Sequence, residues 1–458
     1  MDTKDIPHRP GRLPVVGDVV GMNPRTPLQD TVRLGRVLGP IFSRKVFDFE
    51  IVVVSGVDLV AELNDETRFG KHVGLGLEKL RALGGDGLFT AHTSEPNWRL
   101  AHDILLPAFR AEAMRGYHPI MLDAARELVA SWDAATGPVD VAADMTRLTL
   151  ETIGRAGFGY RFGSFERAEP HPFVTAMLRA LRYAQLQNVR LPFVRRIIGG
   201  TKQQNAADIA LMTNLVDEVI ESRRTGGEPS RDLLGLMLSE GHPETGEKLD
   251  PVNIRNQAIT FVVAGHETTS GALSFALYYL TRHPELLARA QAEVDAVWGG
   301  REPEFGEVAK LRYVRRALDE AMRLWPTAPG YSREAREDVL LGGRYRMRAG
   351  DWVVVPLPLL HRDPSVWGPE AETFDPDHFE PAAVRKRPAH AYKPFGTGER
   401  ACIGRQFALH EAVLALGMVL QRYDLEADPD YELEIVESLT LKPAGFRVTP
   451  RIRSLVSR

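Results

Sequence analysis

The chain has 458 residues, of which 44% are hydrophobic, which is ample for a core that encloses a cofactor. A formal charge of −4 argues against a general nucleic-acid-binding protein, and a single cysteine fits a reducing compartment, so we expect a cytoplasmic protein. The N-terminus contains no continuous apolar run, so we expect neither a signal peptide nor a membrane anchor.

Strand patterns occur early and late in the chain, whereas the middle is mostly helical. The apolar run Ile51–Ser55 predicts an early strand. Between Asn97 and about Ala290, apolar residues recur at three- and four-residue spacing, which predicts helices. Strand signals also cluster late, in Val339–Arg346, Trp352–Pro356 and Tyr431–Val448, often with Gly-Gly or Pro-Ala-Gly turns between the strands. We therefore expect an α-rich part and a small β-rich lobe.

Two stretches with Gly or Pro interrupt the helical part, at Gly226–Ser230 and Gly241–Gly246. Helical patterns resume on both sides, so these stretches are interpreted as surface loops and not as domain linkers. The basic run Arg385–Arg387 is interpreted as a solvated loop. The alternative is that this run docks an acidic electron donor.

The only cysteine, Cys402, lies in the segment FGTGERACIG at 395–404. Its glycines tighten the loop, Arg400 brings a positive charge, and a helix predicted to begin near Ile403 offers backbone N–H groups to the sulfur. A thiolate on such a loop suits a single axial metal ligand. The alternative for a lone cysteine is a buried structural thiol.

The longest helical pattern runs from Pro251 to His283 and contains the polar segment AGHETTS at 264–270. A zinc protease would need a second histidine four residues after His266, and that position holds Ser270. The zinc-protease interpretation therefore fails.

Within this segment, Thr268 can bond back to the carbonyl of Ala264, as threonine inside a helix commonly does. The functional alternative is that Gly265 and Thr268 open the helix locally and leave room for dioxygen and a water. Glu267 then offers an ionisable group that passes protons inward.

Two further helical patterns place polar side chains one turn apart. Glu320 and Arg323 share one face and can pair, although an exposed pair contributes only about 0 to 1 kcal/mol. Trp98 and His102 also share a face, which by itself fits an ordinary amphipathic helix with a buried tryptophan.

These motifs resemble the hallmarks of the cytochrome P450 family: Phe-x-x-Gly-x-Arg-x-Cys-x-Gly for the haem ligand, the oxygen-activating helix, and Glu-x-x-Arg. The resemblance covers nearly the whole chain. Within the family, the chain is similar to the haem domain of bacterial reductase-fused fatty-acid hydroxylases. This similarity is carried by segments 86–90, 97–107, 323–329 and 439–443. It implies one haem domain over residues 1–458, without a reductase domain. The implied fold is mostly α with a minor β lobe, and haem lies between the long helix and the cysteine loop.

The resemblance also implies the residues that hold the cofactor. Cys402 is expected to bind the iron of haem b as a thiolate. Phe395, Gly404 and Ala264 are expected to lie close to the haem, and Trp98, His102 and Arg400 to donate to its propionates. Glu320 and Arg323 become a buried clamp behind the cysteine loop.

Catalytic and substrate residues follow in the same way. Thr268 and Glu267 are the expected proton-delivery pair, with O2 as co-substrate. The pocket and its access channel are expected to be lined by Phe89, Ala328, Leu439, Leu77, Gly84 and Leu181, together with Ala264.

Two departures from the family pattern stand out. In FDPDHF at 374–379, His378 replaces the arginine that usually completes the clamp, so the clamp is expected to be weaker or bonded differently. At the channel mouth, Phe49 and Val53 stand where the fatty-acid hydroxylases carry an arginine and a tyrosine for the substrate carboxylate.

The resulting hypothesis is a monooxygenase that hydroxylates or epoxidises a lipophilic molecule, such as a fatty-acid-like compound, a fatty ester or a terpenoid. Its electrons would come ultimately from NAD(P)H through a separate ferredoxin, flavodoxin or flavin reductase. The alternatives are a haem sensor without turnover, and an excised haem domain of a self-sufficient fatty-acid hydroxylase. A peroxide-driven oxygenase normally lacks the acid and alcohol pair that Glu267 and Thr268 provide here.

Overall fold

The structure is a computed structural model that describes residues 1, 5–23, 25–186, 201–226 and 231–453. It contains two compact units. The first unit comprises Met1–Gly74 and Asp319–Cys402, and the second comprises Leu75–Leu318 and Ile403–Arg458. Elements are numbered in chain order through both units.

The first unit is built on a twisted sheet of Val- and aromatic-rich strands. Its strands are β1 (Ile41–Val46), β2 (Phe49–Val54), β3 (Phe69–His72), β5 (Gly330–Ala335) and β8 (Trp352–Pro356), and a separate hairpin contains β6 (Val339–Leu341) and β7 (Tyr345–Met347). The sheet order is β1-β2-β8-β5-β3, in which β2 and β8 run parallel and the other neighbours antiparallel. The unit also contains five helices: α1 (Pro27–Leu38), α2 (Val57–Leu63), α14 (Leu357–Leu360), α15 (Pro364–Trp367) and α16 (Pro381–Lys386).

The second unit is mainly helical. Its helices are α3 (Gly74–Gly84), α4 (Pro96–Leu105), α5 (Ala111–Asp133), α6 (Val141–Phe158), α7 (Pro172–Leu186), α8 (Lys202–Gly226), α9 (Leu233–Ser239), α10 (Pro251–Arg282), α11 (Pro284–Trp298), α12 (Phe305–Val308) and α17 (Arg405–Arg422), and α13 (Arg312–Leu324) contributes residues to both units. Small sheets are formed by β4 (Val139–Asp140), β12 (Arg447–Ile452) and β9 (Tyr423–Ala427), and by β10 (Ile435–Glu437) with β11 (Leu441–Pro443).

The ends of α10 follow from its sequence. Asp250 caps the N-terminus by accepting from the backbone N–H groups of Val252 and Asn253, and Pro251 occupies the first turn. At the other end, His283 has left helical geometry because Pro284 follows it. The predicted helix Pro251–His283 is thus confirmed to within one residue.

Helix α10 is buried on nearly all sides and packs closely on α6. A side chain at Gly265 would place its Cβ 2.9 Å from Ile153, so only glycine allows this approach. The Thr149 hydroxyl of α6 donates to the carbonyl of His266 at 2.9 Å. These contacts fix the polar segment of α10 against a rigid neighbour.

The mostly helical pattern with a smaller β part is as predicted. The Gly-Gly turn expected among the late strands is confirmed, because Gly342 and Gly343 adopt positive φ and turn the chain into the β6–β7 hairpin. One local prediction is corrected: the basic run is not a solvated loop, since Arg385 and Lys386 end α16 and Arg387 is half-buried. The loop at Gly241–Gly246 is confirmed, whereas residues 227–230 of the other predicted loop lie outside the described residues.

Among the described residues, every helix is too short or too polar to cross a membrane.

Candidate active site

The cysteine loop of the first unit closes on itself through its backbone. The N–H of Cys402 donates to the carbonyl of Phe395 at 2.8 Å, and the N–H of Ala401 donates to Gly398 at 3.0 Å. Gly396 and Gly398 have φ of +71° and +68°, which glycine adopts without strain. Cys402 is exposed, so the alternative of a buried structural thiol is wrong.

A carboxylate from outside the loop holds its second turn. Glu66 accepts from the backbone N–H of Glu399 at 3.1 and 3.2 Å and fills the space beside Gly398 in which a Cβ would lie. Arg333 lies 4.0 Å from this carboxylate. Sequence patterns did not point to Glu66, because it is separated from the loop by more than 300 residues.

Behind the loop, Arg323 and Glu320 form the predicted pair in fully buried positions, with two contacts of 2.7 Å. Arg323 also donates to the carbonyls of His361 at 3.1 Å, Ala371 at 2.6 Å and Thr373 at 3.0 Å. This pair is therefore a clamp on the main chain, as the resemblance implied, and not an exposed pair of little weight.

His378 completes the clamp in place of the family's arginine. Its Nδ1 donates to Glu320 at 3.0 Å, and the N–H of Asp375 donates to the same carboxylate at 2.9 Å. Burial alone would raise the pKa of Glu320, but the bonds from Arg323 and His378 outweigh it and hold this pKa below its usual range. The clamp is thus bonded differently but is complete.

A second cation lies beside the clamp. The Arg387 guanidinium stacks 3.8 Å from the ring of Trp367 and donates to the carbonyl of His378. Burial lowers the pKa of Arg387 to about 10, against the opposing charge of Glu320. Because Arg387 belongs to a run of three cations, the sequence suggested a solvated side chain and missed this contact.

His361 ties the clamp to the cysteine loop. Its carbonyl accepts from Arg323, and its Nε2 accepts from the N–H of Lys393, two residues before Phe395, at 2.9 Å. Burial, followed by the charge of Arg323, lowers the pKa of His361 to about 3. The ring is therefore neutral and its Nε2 serves as a stable acceptor.

In the second unit, α10 carries the predicted polar segment. The Thr268 hydroxyl donates to the carbonyl of Ala264 at 3.0 Å, so the ordinary back-bond is present. Ala264 and Thr268 are half-buried and lie one turn apart on a helix whose neighbouring residues are mostly buried. This accessible strip is where another molecule can approach α10.

Glu267 points into a buried polar cluster. Its carboxylate accepts from Lys442 Nζ at 3.0 Å and from the Thr440 hydroxyl at 2.9 Å. Burial alone would raise the pKa of Glu267, but the charge of Lys442 and the neighbouring His266 outweigh it and lower this pKa well below its usual range. Neither Lys442 nor Thr440 was singled out in the sequence.

The comparison with known proteins decides the family. The profile of the family "Cytochrome P450" matches residues 7–450. The chain belongs to the cytochrome P450 family. The predicted family and fold class are thereby confirmed. Proteins of this family use a haem held by a cysteine thiolate.

Several relatives are much longer than this P450 chain. It is 51% identical over 432 residues to "Bifunctional cytochrome P450/NADPH--P450 reductase 2" of Bacillus subtilis, covering 93% of this chain and 40% of that protein. It is 50% identical to the "Bifunctional cytochrome P450/NADPH--P450 reductase" of Bacillus cereus, covering 94% and 41%. A "Self-sufficient cytochrome P450 monooxygenase" of Phanerodontia chrysosporium is 41% identical, covering 97% and 42%. The chain thus spans about two fifths of the length of these relatives.

The residues of each unit of this P450 fit the haem of the family. In the first unit, Lys71 of β3 lies near Arg400, and burial followed by that charge lowers the pKa of Lys71 to about 7. Neighbouring cations of this kind are stabilised by an anion such as a haem propionate. Sequence reasoning found Arg400 but missed Lys71, because nothing in a lone lysine shows its neighbours.

In the second unit of the P450, two of the three predicted propionate donors, Trp98 and His102, lie together. Trp98 is buried, and its ring stacks on His102 at 5.2 Å. His102 also bonds to Asp103 at 2.8 Å, which fixes its orientation. A Cβ at Gly404 would lie 3.7 Å from the Phe109 ring, which is an ordinary contact. The described neighbours therefore do not explain the glycine, whereas a cofactor that approaches the backbone closely would. The propionate and haem-contact roles stay predictions.

The predicted pocket residues differ in accessibility. In the second unit, Phe89 is 37% exposed, whereas Leu181 is 4% exposed. Leu77 and Leu439 are half-buried, and Gly84 is buried beside Thr90. In the first unit, Ala328 is half-buried. Their roles in substrate binding stay predictions.

The two channel-mouth residues of the first unit also differ. Phe49 is half-buried and lies 6.3 Å from the ring of Trp352. Val53 is 1% exposed and pairs with the buried Phe42 in the sheet. The channel-mouth roles of both residues stay predictions.

Proposed function

We propose that the chain is the haem domain of a monooxygenase that inserts one oxygen atom of O2 into a lipophilic substrate. Cys402 would hold the haem iron through its thiolate. The observation that carries this proposal is the cysteine loop, which presents an exposed Cys402 on a backbone held by Phe395, Glu66 and the Glu320–Arg323 clamp. Such a loop positions one ligand firmly and leaves its outer side open.

When bound, haem supplies the binding and activation of dioxygen. The protein's own groups hold it and manage protons. Lys71 and Arg400 would hold the haem propionates, and the Thr268 hydroxyl, which donates to the carbonyl of Ala264 in this structure, would hold and pass a proton beside α10. The apolar side chains of the predicted pocket exclude water from the substrate.

The electron donor we propose is a flavin reductase that uses NADPH. The names of the Bacillus relatives combine a cytochrome P450 with a P450 reductase in one chain, and this chain spans about two fifths of their length. This supports the interpretation as a haem domain that works with such a reductase, whether fused or separate. A cytoplasmic location follows from the single cysteine and stays a prediction.

The substrate class we propose is a neutral or weakly polar lipophilic chain. Support comes from Phe49, which is half-buried at the position where the resemblance places a cation for fatty acids. A carboxylate that meets an aromatic ring there loses hydration without gaining an ion pair.

The decisive test is the absorption spectrum of the reduced protein with carbon monoxide. The wild type should give the strongly red-shifted Soret band of thiolate ligation, and Cys402→His should move it to the imidazole position. An imidazole-type spectrum in the wild type would overturn the assignment. Product formation with NADPH and a reductase then separates a monooxygenase from a haem sensor, which would consume no NADPH in response to any lipophilic ligand.

A further inference from the structure

The β10–β11 hairpin ends in a very tight turn. Glu437 of β10 pairs with Leu441 of β11, and both the N–H and the hydroxyl of Ser438 donate to the carbonyl of Thr440 at 3.0 Å. Leu439 is thus held at the tip and is half-buried. A tip closed by two hydrogen bonds moves as one piece with the residues that follow it.

The residues after the tip are anchored to one carboxylate. Thr440 donates to one oxygen of Glu267 and Lys442 to the other, at 2.9 and 3.0 Å. Lys442 also donates to the Thr146 hydroxyl of α6 at 3.2 Å. The hairpin, α6 and α10 therefore meet at a single acceptor.

The ion pair of Glu267 and Lys442 is largely shielded from solvent. The side chain of Glu267 is 4% exposed and that of Lys442 is 16% exposed, so neither partner can be replaced by bulk water without rearrangement. A buried carboxylate with both oxygens engaged has one stable orientation. Displacement of Thr440 consequently requires Glu267 to follow or to lose a hydrogen bond.

The anchor joins two functional positions through very few bonds. Leu439, the predicted substrate contact, is the neighbour of Thr440, and Glu267 is the neighbour of Thr268. We propose that Thr440 and Lys442 are positioning residues that transmit substrate contact at the hairpin tip to the Thr268 segment of α10 through Glu267. The proposal rests on the proposed function and deepens it, because it makes proton delivery at α10 dependent on an occupied hairpin.

The test compares Thr440→Val and Lys442→Met with the wild-type holoprotein. Thr440→Val keeps the shape of the side chain and removes one hydrogen bond, so it serves if Lys442→Met fails to fold. Lys442→Arg keeps the charge and is the rescue variant. Lys310→Met removes an exposed lysine that pairs with Glu307 at 4.0 Å in the same unit, and it is the matched control.

Two measurements are needed. Hydrogen–deuterium exchange reports the peptides that cover 435–443 and 261–270, and product per NADPH with a lipophilic substrate reports the coupling of electron use to oxygenation. In Thr440→Val, we expect exchange in both peptides to rise about fivefold, the change that loss of one net hydrogen bond gives. Product per NADPH should fall by a similar factor, while substrate affinity from the spin-state shift stays within about twofold.

Lys442→Met should show the same pattern more strongly, whereas Lys442→Arg and Lys310→Met should resemble the wild type. Faster exchange confined to the hairpin peptide would overturn the proposal, as would unchanged product per NADPH in Thr440→Val and Lys442→Met. If the wild type forms no product at all, the proposed function fails. The exchange data alone then decide the link, which is supported when both peptides respond together and overturned when only one does.

Discussion

The carboxylate of Glu66 occupies the space in which a side chain at residue 398 would begin, beside the loop that carries Cys402. The same carboxylate accepts from the backbone N–H of Glu399. Gly398 is therefore required for two separate reasons, its positive φ and the oxygen atoms that fill its Cβ position. The cysteine loop is shaped as much by a distant acid as by its own glycines.

Gly398→Ala should destabilise the protein and weaken haem retention, because alanine meets both the backbone strain, about 1 to 2 kcal/mol, and the Glu66 carboxylate. Gly445→Ala is the matched control, since Gly445 also has positive φ but no atom of the described residues outside its chain neighbours lies within 4 Å of its Cβ position. Thermal unfolding should show the larger loss of stability for Gly398→Ala. In the double variant with Glu66→Ala, the loss should fall to that of Gly445→Ala. Equal losses of stability in Gly398→Ala and Gly445→Ala would contradict the predicted clash with the Glu66 carboxylate.

Thr268→Ala should keep the resting spectrum and substrate binding but divert electrons to peroxide, because proton delivery loses the hydroxyl. Product per NADPH should fall by about tenfold or more. Thr281→Ala is the control, because Thr281 makes the same back-bond to Leu277 at 2.9 Å on α10. If the two variants stay as well coupled as the wild type, Thr268 has no part in the reaction.

His378→Arg should maintain or raise thermal stability and haem retention, because arginine can donate two bonds to Glu320 where His378 donates one. His378→Ala removes the donor to this buried carboxylate and should cost about 1 to 3 kcal/mol. Thermal and denaturant unfolding curves of the two variants and the wild type measure both effects. A marked loss in the arginine variant would show that Arg387, which donates to the carbonyl of His378, already fills the available space.

Glu411 should make the protein less stable as pH rises. It is 2% exposed on α17, and burial raises its pKa to about 8 against the smaller, opposing effect of the Thr152 hydroxyl. A raised carboxyl pKa means that the folded state binds the extra proton, so its stabilising contribution is lost between the unfolded pKa, about 4.3, and about 8.

Glu411→Gln removes this titration, so between pH 6 and 9 it should lose less stability than the wild type, by about 1 kcal/mol or more. Denaturant unfolding at several pH values measures the two slopes. Glu112→Gln changes an exposed acid of the same unit and should leave the wild-type slope intact. Parallel slopes for Glu411→Gln and the wild type would refute the titration.

Phe49→Arg should improve the binding of a fatty acid while leaving its methyl ester nearly unchanged, because only the acid gains an ion pair. An exposed pair is worth about 1 kcal/mol or less, so we expect up to about fivefold. Spin-state titrations of a matched acid and ester measure this. Val37→Arg adds a charge at a 78% exposed site of the first unit and controls for nonspecific attraction. A wild-type preference for the acid would place the carboxylate anchor elsewhere.

Features encoded locally could be predicted from the sequence. The bounds of α10 follow from Asp250, Pro251 and Pro284, and the Glu320–Arg323 pair follows from helical spacing. The cysteine loop was recognisable because its glycines and Cys402 are contiguous.

Features that depend on distant partners were not predictable in this way. Lys442 and Glu66 are ordinary charged residues until the fold brings them to Glu267 and Glu399. The contact of Arg387 with Trp367 was missed because charge runs are usually solvated. In each case the missing information was a contact between residues far apart in the chain.

The clamp has a consequence for how the chain can vary. Arg323 binds the carbonyl oxygens of residues 361, 371 and 373, and a carbonyl is common to every amino acid. The exposed Thr373 can therefore be exchanged for many residues without loss of its bond to Arg323. Removal of one residue between Ala371 and Thr373 would instead shift the register and cost Arg323 a carbonyl acceptor, although its bonds to Glu320 and to the carbonyl of His361 would remain. Position 373 thus tolerates substitution more readily than the stretch tolerates an insertion or deletion.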